Sequence, residues 1–75
     1  MYASRDLAFV AYLLCRGYQL ADLVKDENSR AEFFISGAFE KIEEDKNLFW
    51  NCQTSVDAQT YFNTLRRLKN QMYAS

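Results

Sequence analysis

Histidine and proline are absent from these 75 residues, and glycine occurs only at Gly17 and Gly37. Without histidine the chain lacks the commonest general base and metal ligand, and with it the Ser-His-Asp and Cys-His arrangements. Two glycines cannot write GxGxxG or GxxxxGK[ST], so nucleotide-hydrolysing and dinucleotide-dependent folds are not expected. Cysteine is scarce as well. Cys15 and Cys52 belong to no CxxC or Cys/His pair and sit among apolar neighbours, which reads as two reduced core thiols. The longest uninterrupted apolar run, residues 7–15, falls well short of the roughly 20 residues a membrane span needs. The first residues carry no basic stretch followed by an apolar one. The expectation is a cytoplasmic protein with no membrane partner, no metal and no cofactor.

What the chain does have is aromatic rings: 6 Phe, 5 Tyr and 1 Trp. A chain of this length buries only about 60–65% of the surface its unfolded form exposes, but each buried ring removes roughly 150–250 Å² from water. With 49% apolar and 25% charged residues and no low-complexity tract, the composition predicts one ordered domain over residues 1–75. The net charge of −1 is unevenly spread. Residues 22–45 hold eight acids against Lys25, Arg30 and Lys41, whereas residues 58–75 hold Arg66, Arg67 and Lys69 and no acid. Such asymmetry steers a charged partner or a second copy of the chain.

Leu7, Val10, Ala11 and Leu14 recur at helical spacing, with Ser4 placed to cap the start and Gly17 to end the helix in the left-handed region. Phe9, Tyr12 and Leu13 lie off that stripe, so this helix is apolar over much of its circumference and belongs at the centre of the fold or in an interface. Residues 18–25 read as a strand, 26–29 as a turn and 30–36 as the returning strand. Alternation assigns Ala31, Phe33 and Ile35 to the core and turns Phe34 outward, with either Leu23 or Val24. A second helix over residues 39–49 sets Phe39, Ile42 and Phe49 inward and Glu43, Glu44, Asp45 and Lys46 outward. Thr54 with Asp57 resembles a capping box, Ser55 being an alternative cap, for a third helix whose inner stripe is Ala58, Tyr61, Phe62, Leu65, Leu68 and Met72. The fold class is α+β, in the order helix, strand, strand, helix, helix, with the helices packed on a β-hairpin. A lone hairpin leaves both edges open, and pairing two hairpins across a homodimer closes them. The repeat of Met-Tyr-Ala-Ser at residues 1–4 and 72–75 is too short to be structural.

Catalytic residues are not expected, and the protein is read as a non-enzyme. Glu40 with Glu43 or Glu44 share a helical side, but acid/base work needs a desolvated cleft, and Lys41 and Lys46 mark a wet surface. Cys52 near a helix start has no evident base. Arg66, Arg67 and Lys69, with Tyr61 and Tyr73, could meet nucleic acid or a nucleotide, although three cations and a pI of 5.2 are little for a dedicated binder. The stretch Phe49-Trp50-Asn51-Cys52 reads first as a corner between helices, plugged by its rings, with Asn51 taking the left-handed conformation. If Trp50 is exposed, it becomes the best anchor for a protein partner.

Asp6-Leu7, Ala11 with Leu14, Gly17-Tyr18, Phe49-Trp50-Asn51, Val56-Asp57, Phe62-Asn63 and Leu68-Lys69 together resemble a family of small uncharacterised domains of bacteria and their phages. The resemblance implies architecture and no activity. By analogy with small acidic phage proteins it implies a non-enzymatic interaction protein of a phage or mobile element, an inhibitor of a bacterial defence system (anti-CRISPR or another anti-defence protein) that binds and occludes. Its partner surface would comprise Glu40, Glu43, Glu44 and Asp45, imitating phosphates, with Trp50 and Phe34. The alternatives are a nucleotide- or nucleic-acid-binding module using Arg66, Arg67 and Lys69, and a housekeeping adaptor.

Overall fold

The computed structural model describes residues 1–28 and 30–74. Ser29, expected in the turn, and Ser75, the last letter of the repeated Met-Tyr-Ala-Ser, lie outside the described residues. The elements run β1 (Tyr2–Ser4), α1 (Leu7–Cys15), β2 (Gln19–Lys25), β3 (Ala31–Ser36), α2 (Phe39–Trp50) and α3 (Ala58–Ala74). The three strands form an antiparallel sheet in the order β1-β3-β2. The strand order expected from sequence therefore lacked its first element. Tyr2, Ala3 and Ser4 pair with Ile35, Phe34 and Phe33, so the far side of β3 is already occupied by the chain itself. The hairpin is thus extended to three strands by the chain itself, and the edges of the sheet are β1 and β2.

Ser4 ends β1 and does not cap α1. The cap is Asp6, whose Oδ1 accepts from the backbone N–H of Ala8 at 3.1 Å and of Phe9 at 3.3 Å. Helix α1 is central, with Phe9, Val10, Ala11, Tyr12 and Leu13 buried in succession. Packing on all sides is the outcome of a helix apolar on all sides. Ala31, Phe33 and Ile35 of β3 meet α1 in the core, joined by Ile42 of α2 and Leu68 of α3. Phe34 alternates to the other face of the sheet, opposite Ala3 and Asp22, and Val24 rather than Leu23 points outward with it. A bulge between Leu20 and Asp22 resets the β2 register. The β2–β3 turn is held by Asp26 Oδ1, which accepts from the N–H of Asn28 and of Arg30, each at 2.9 Å.

Helices α1 and α2 end in the same way. At α1 the N–H of Gly17 reaches Leu14 O and that of Tyr18 reaches Leu13 O; at α2 the N–H of Cys52 reaches Phe49 O and that of Gln53 reaches Leu48 O. Both are Schellman motifs, which need a left-handed residue just after the cap. Gly17 fills that place in the first, with φ +102°. In the second the residue is Cys52, φ +55°, and not Asn51, whose φ of −90° is ordinary. A side chain in this region costs roughly 1 kcal/mol. Cys52→Gly is therefore expected to stabilise the domain by about 0.5–1 kcal/mol, read as a higher urea midpoint with an unchanged slope. Cys52 is also exposed, while Cys15 is half-buried with its Sγ 3.8 Å from Thr64 Oγ1. The expectation of two core thiols thus fails at Cys52, which the left-handed turn lifts off the core.

Helix α3 starts at Asp57, which does its own capping: Oδ2 accepts from the N–H of Thr60 at 2.9 Å and from its hydroxyl at 2.8 Å, and these bonds hold the carboxyl below its usual range. Thr54 instead accepts the Tyr12 hydroxyl at 2.9 Å, and Tyr61 donates its hydroxyl to Ala8 O at 3.0 Å. The buried face of α3 runs through Tyr61, Thr64, Leu65, Leu68 and Met72. Phe62, expected on that face, is 56% exposed and lies beneath the Arg66 guanidinium, 5.0 Å from the ring centre. Ala58 of α3 and Phe39 of α2, also expected inward, sit at the first position of their helices and are exposed, Phe39 at 61%.

Candidate functional site

The segment that joins α2 to α3 separates its two neighbouring rings. Phe49 turns inward and plugs the corner, its ring centre 5.5 Å from that of Phe9 and 5.0 Å from that of Tyr12. Trp50, one position on, is carried about 100° round the helix. It stands edge-on to Phe49 at 5.1 Å and remains 58% exposed. Beside this corner opens a cleft of about 270 Å³ lined by Tyr12, Phe49, Cys52, Thr54, Val56 and Tyr61. Its walls are mostly rings and methyl groups, with hydroxyls at the edge. Such a surface suits an apolar side chain of a partner.

The four acids expected to share one surface do not share it. Glu40 and Glu44 are exposed and Glu43 is half-buried. Asp45 is only 7% exposed and faces the other way, into a polar notch of about 270 Å³ formed with Arg16, Gly17, Tyr18 and Lys41. Its Oδ2 accepts the Tyr18 hydroxyl at 2.6 Å, and Oδ1 lies 3.9 Å from Nη2 of Arg16. A short bond to a carboxylate is strong, and this one ties α2 to the chain leaving α1. Gly37 borders the same place: a Cβ there would meet Tyr18 Cδ1 at 3.0 Å and Ile42 Cδ1 at 3.1 Å. Asp45 is therefore a structural acid, held where the run Glu43-Glu44-Asp45-Lys46 reads as solvated throughout.

Burial first, then the hydrogen bond to Asp45 and its negative charge, push the Tyr18 phenol up to about 12 from an ordinary 10.0. The folded value lies above the unfolded one. The phenol's contribution to stability is thus complete below pH 10 and is lost as the pH rises through about 12. Urea denaturation across this window is expected to show wild type losing its advantage over Tyr18→Phe.

Phe34 lies across the sheet from the helices and joins neither Trp50 nor the acids. The three basic residues of α3 are likewise divided. Arg66 and Lys69 line one shallow groove with Phe62 and Leu65. Arg67 lines a different cleft, with Leu14, Leu20, Thr64, Leu68 and Gln71. Among the described residues no group of three or more His, Cys, Asp or Glu could hold a metal ion. No described helix is long and apolar enough to cross a membrane.

The chain belongs to the family described as Domain of unknown function (DUF5659), whose model matches residues 1–74. No curated protein and no solved structure matches it. The resemblance carried by Gly17-Tyr18 and Phe49-Trp50-Asn51 was to a family of this kind, one that brings an architecture and no assigned chemistry. Two of those pairs now have physical roles: Gly17-Tyr18 ends α1 and supplies the phenol for Asp45, and Phe49-Trp50 forms the corner.

Proposed function

We propose that the protein acts by binding a protein partner at the α2–α3 corner, with Trp50 as the anchor and without chemistry of its own. The observation that carries this reading is the exposure of Trp50 beside an open cleft of rings and methyl groups. Tryptophan dominates binding hot spots because one rigid side chain removes a large area from water. Glu40 and Glu44 on the same helix give the approach a negative sign and select a partner with a basic surface. In its finer form the protein is an inhibitor of a bacterial defence system, occupying a basic effector surface that otherwise holds nucleic acid. Glu40, Glu44 and the half-buried Glu43 are its phosphate mimics, with Asp45 withdrawn from that set.

The test is capture from bacterial lysate by immobilised wild type and by Trp50→Ala, both first shown to be folded. Wild type is expected to retain a stoichiometric basic protein, and the variant to bind it about 30-fold more weakly or worse. Equal retention by both, or retention of nothing by either, contradicts the reading.

A further inference from the structure

The exposed rings of this protein fall into two pairs with one spacing. Phe39 and Trp50, 61% and 58% exposed, are the first and last residues of α2. Phe62 and Tyr73, 56% and 79% exposed, lie near the two ends of α3. In each pair the second ring comes eleven positions after the first. At 3.6 residues per turn, eleven positions make three turns and roughly 20°, so each pair lies on one face with its rings about 16 Å apart along the axis. The positions between them also correspond. Four and seven residues after the first ring stand Glu43 and Lys46 on α2, and Arg66 and Lys69 on α3.

The two ladders therefore share a geometry and differ in sign. Glu40 and Glu44 flank the α2 ladder, whereas α3 carries no acid from Ala58 to Ala74. Both helices pack chiefly on α1. On the α3 ladder Arg66 and Lys69 are exposed, whereas on the α2 ladder Glu43 and Lys46 are half-buried and the Phe39 ring centre lies 5.6 Å from that of Tyr2, its ring still largely in solvent. We infer that the outward face of α3 docks on the outward face of α2 of a second copy of this chain. Ring then meets ring at both ends of the contact. One cation of α3 meets Glu43 of the second copy: Arg66 if the helices run parallel, Lys69 if antiparallel. Lys46 weakens the contact at the remaining position, and Glu40 and Glu44 keep the face negative. Nucleic acid fits the α3 face less well, because the chain as a whole is acidic and Arg66 already covers the Phe62 ring on which a base would stack.

Docking of this kind covers Trp50, so a second copy and a protein partner compete for one residue. That consequence alone rests on the partner-binding reading. Self-association is measured on the purified chain, and its failure is separate from the failure of partner capture.

The experiment is sedimentation equilibrium of the full chain from ~1 µM to ~1 mM, at low salt and at ~0.5 M salt. Wild type is expected to form reversible species heavier than 8.8 kDa that weaken with salt. The double variants Arg66→Glu/Lys69→Glu and Glu43→Lys/Glu44→Lys each weaken association at least ~10-fold, and mixing the two restores a complex containing one copy of each. Phe62→Gln, which leaves the charges in place, weakens it as well. Circular dichroism establishes that each variant is folded. A monomer at every concentration overturns the inference, as does association that both double variants leave unchanged. Binding of a single-stranded oligonucleotide that Arg66→Glu/Lys69→Glu abolishes, with the chain remaining monomeric, overturns it in favour of nucleic acid.

Discussion

Phe49→Ala is expected to destabilise the domain by about 3 kcal/mol, and Trp50→Ala, one residue on, by less than about 1 kcal/mol. The two rings are neighbours in sequence and opposites in environment. Phe49 touches Phe9 and Tyr12 at ring-centre distances of 5.5 and 5.0 Å, and each such pair contributes about 0.5–1.5 kcal/mol beyond the area it buries. Phe49 also lines the corner cleft together with Tyr12, so its removal enlarges a space beside the core. A chain of this size has a total stability of roughly 4–11 kcal/mol at 0.05–0.15 kcal/mol per residue, so the loss is a large share of the margin. Trp50 gives up one edge-on contact with Phe49. Urea denaturation of both variants checks the contrast, and equal losses would show that the two rings share one environment.

The second large effect is at Asp45. Asp45→Ala is expected to cost about 2–3 kcal/mol, because it removes a hydrogen bond to a charged group and leaves the Tyr18 hydroxyl without its acceptor. Glu44→Ala, the adjacent acid, should stay within about 0.5 kcal/mol. Thermal denaturation near neutral pH separates the two. If both substitutions are silent, Asp45 is solvated like its neighbours and belongs with the phosphate mimics after all.

The central helix was legible because its signal is strong in every direction: Leu7, Phe9, Val10, Tyr12 and Leu13 leave no polar side. The returning strand was legible because Ala31, Phe33 and Ile35 alternate cleanly with Glu32 and Phe34. Strand β1 was not, since Tyr2, Ala3 and Ser4 are too few to display a period of two, and Ser4 next to Asp6 looks like a helix cap. Only the long-range pairing of Tyr2 with Ile35 makes those residues a strand. The hint available was Tyr2 itself, a large apolar ring ahead of the helix, now buried against Phe9.

The candidate site was legible in its residues and not in their directions. Trp50 and Phe49 are adjacent, and the phase of α2 decides which is buried. In that phase Ile42 and Asp45 enter the interior, and Asp45 finds there the hydroxyl of Tyr18, 27 positions earlier in the chain, and the guanidinium of Arg16. No local pattern carries that information. Phe62 was misplaced for a related reason. Thr64 is buried and Phe62 is not, because the inner face of α3 is set by contact with α1 and not by the most apolar stripe. The left-handed turn was correctly expected at the end of α2 but given to Asn51, the residue type that prefers it, when hydrogen bonding places it at Cys52.

The most direct measurement is the fluorescence of Trp50, the chain's only tryptophan, as a function of protein concentration with acrylamide as quencher. An exposed anchor that a second copy covers predicts red, readily quenched emission at high dilution. With rising concentration the emission should shift to the blue and lose its quenching, and Arg66→Glu/Lys69→Glu should hold it red throughout. Blue, quencher-protected emission at the highest dilution would place Trp50 in the core of the single chain and contradict the account.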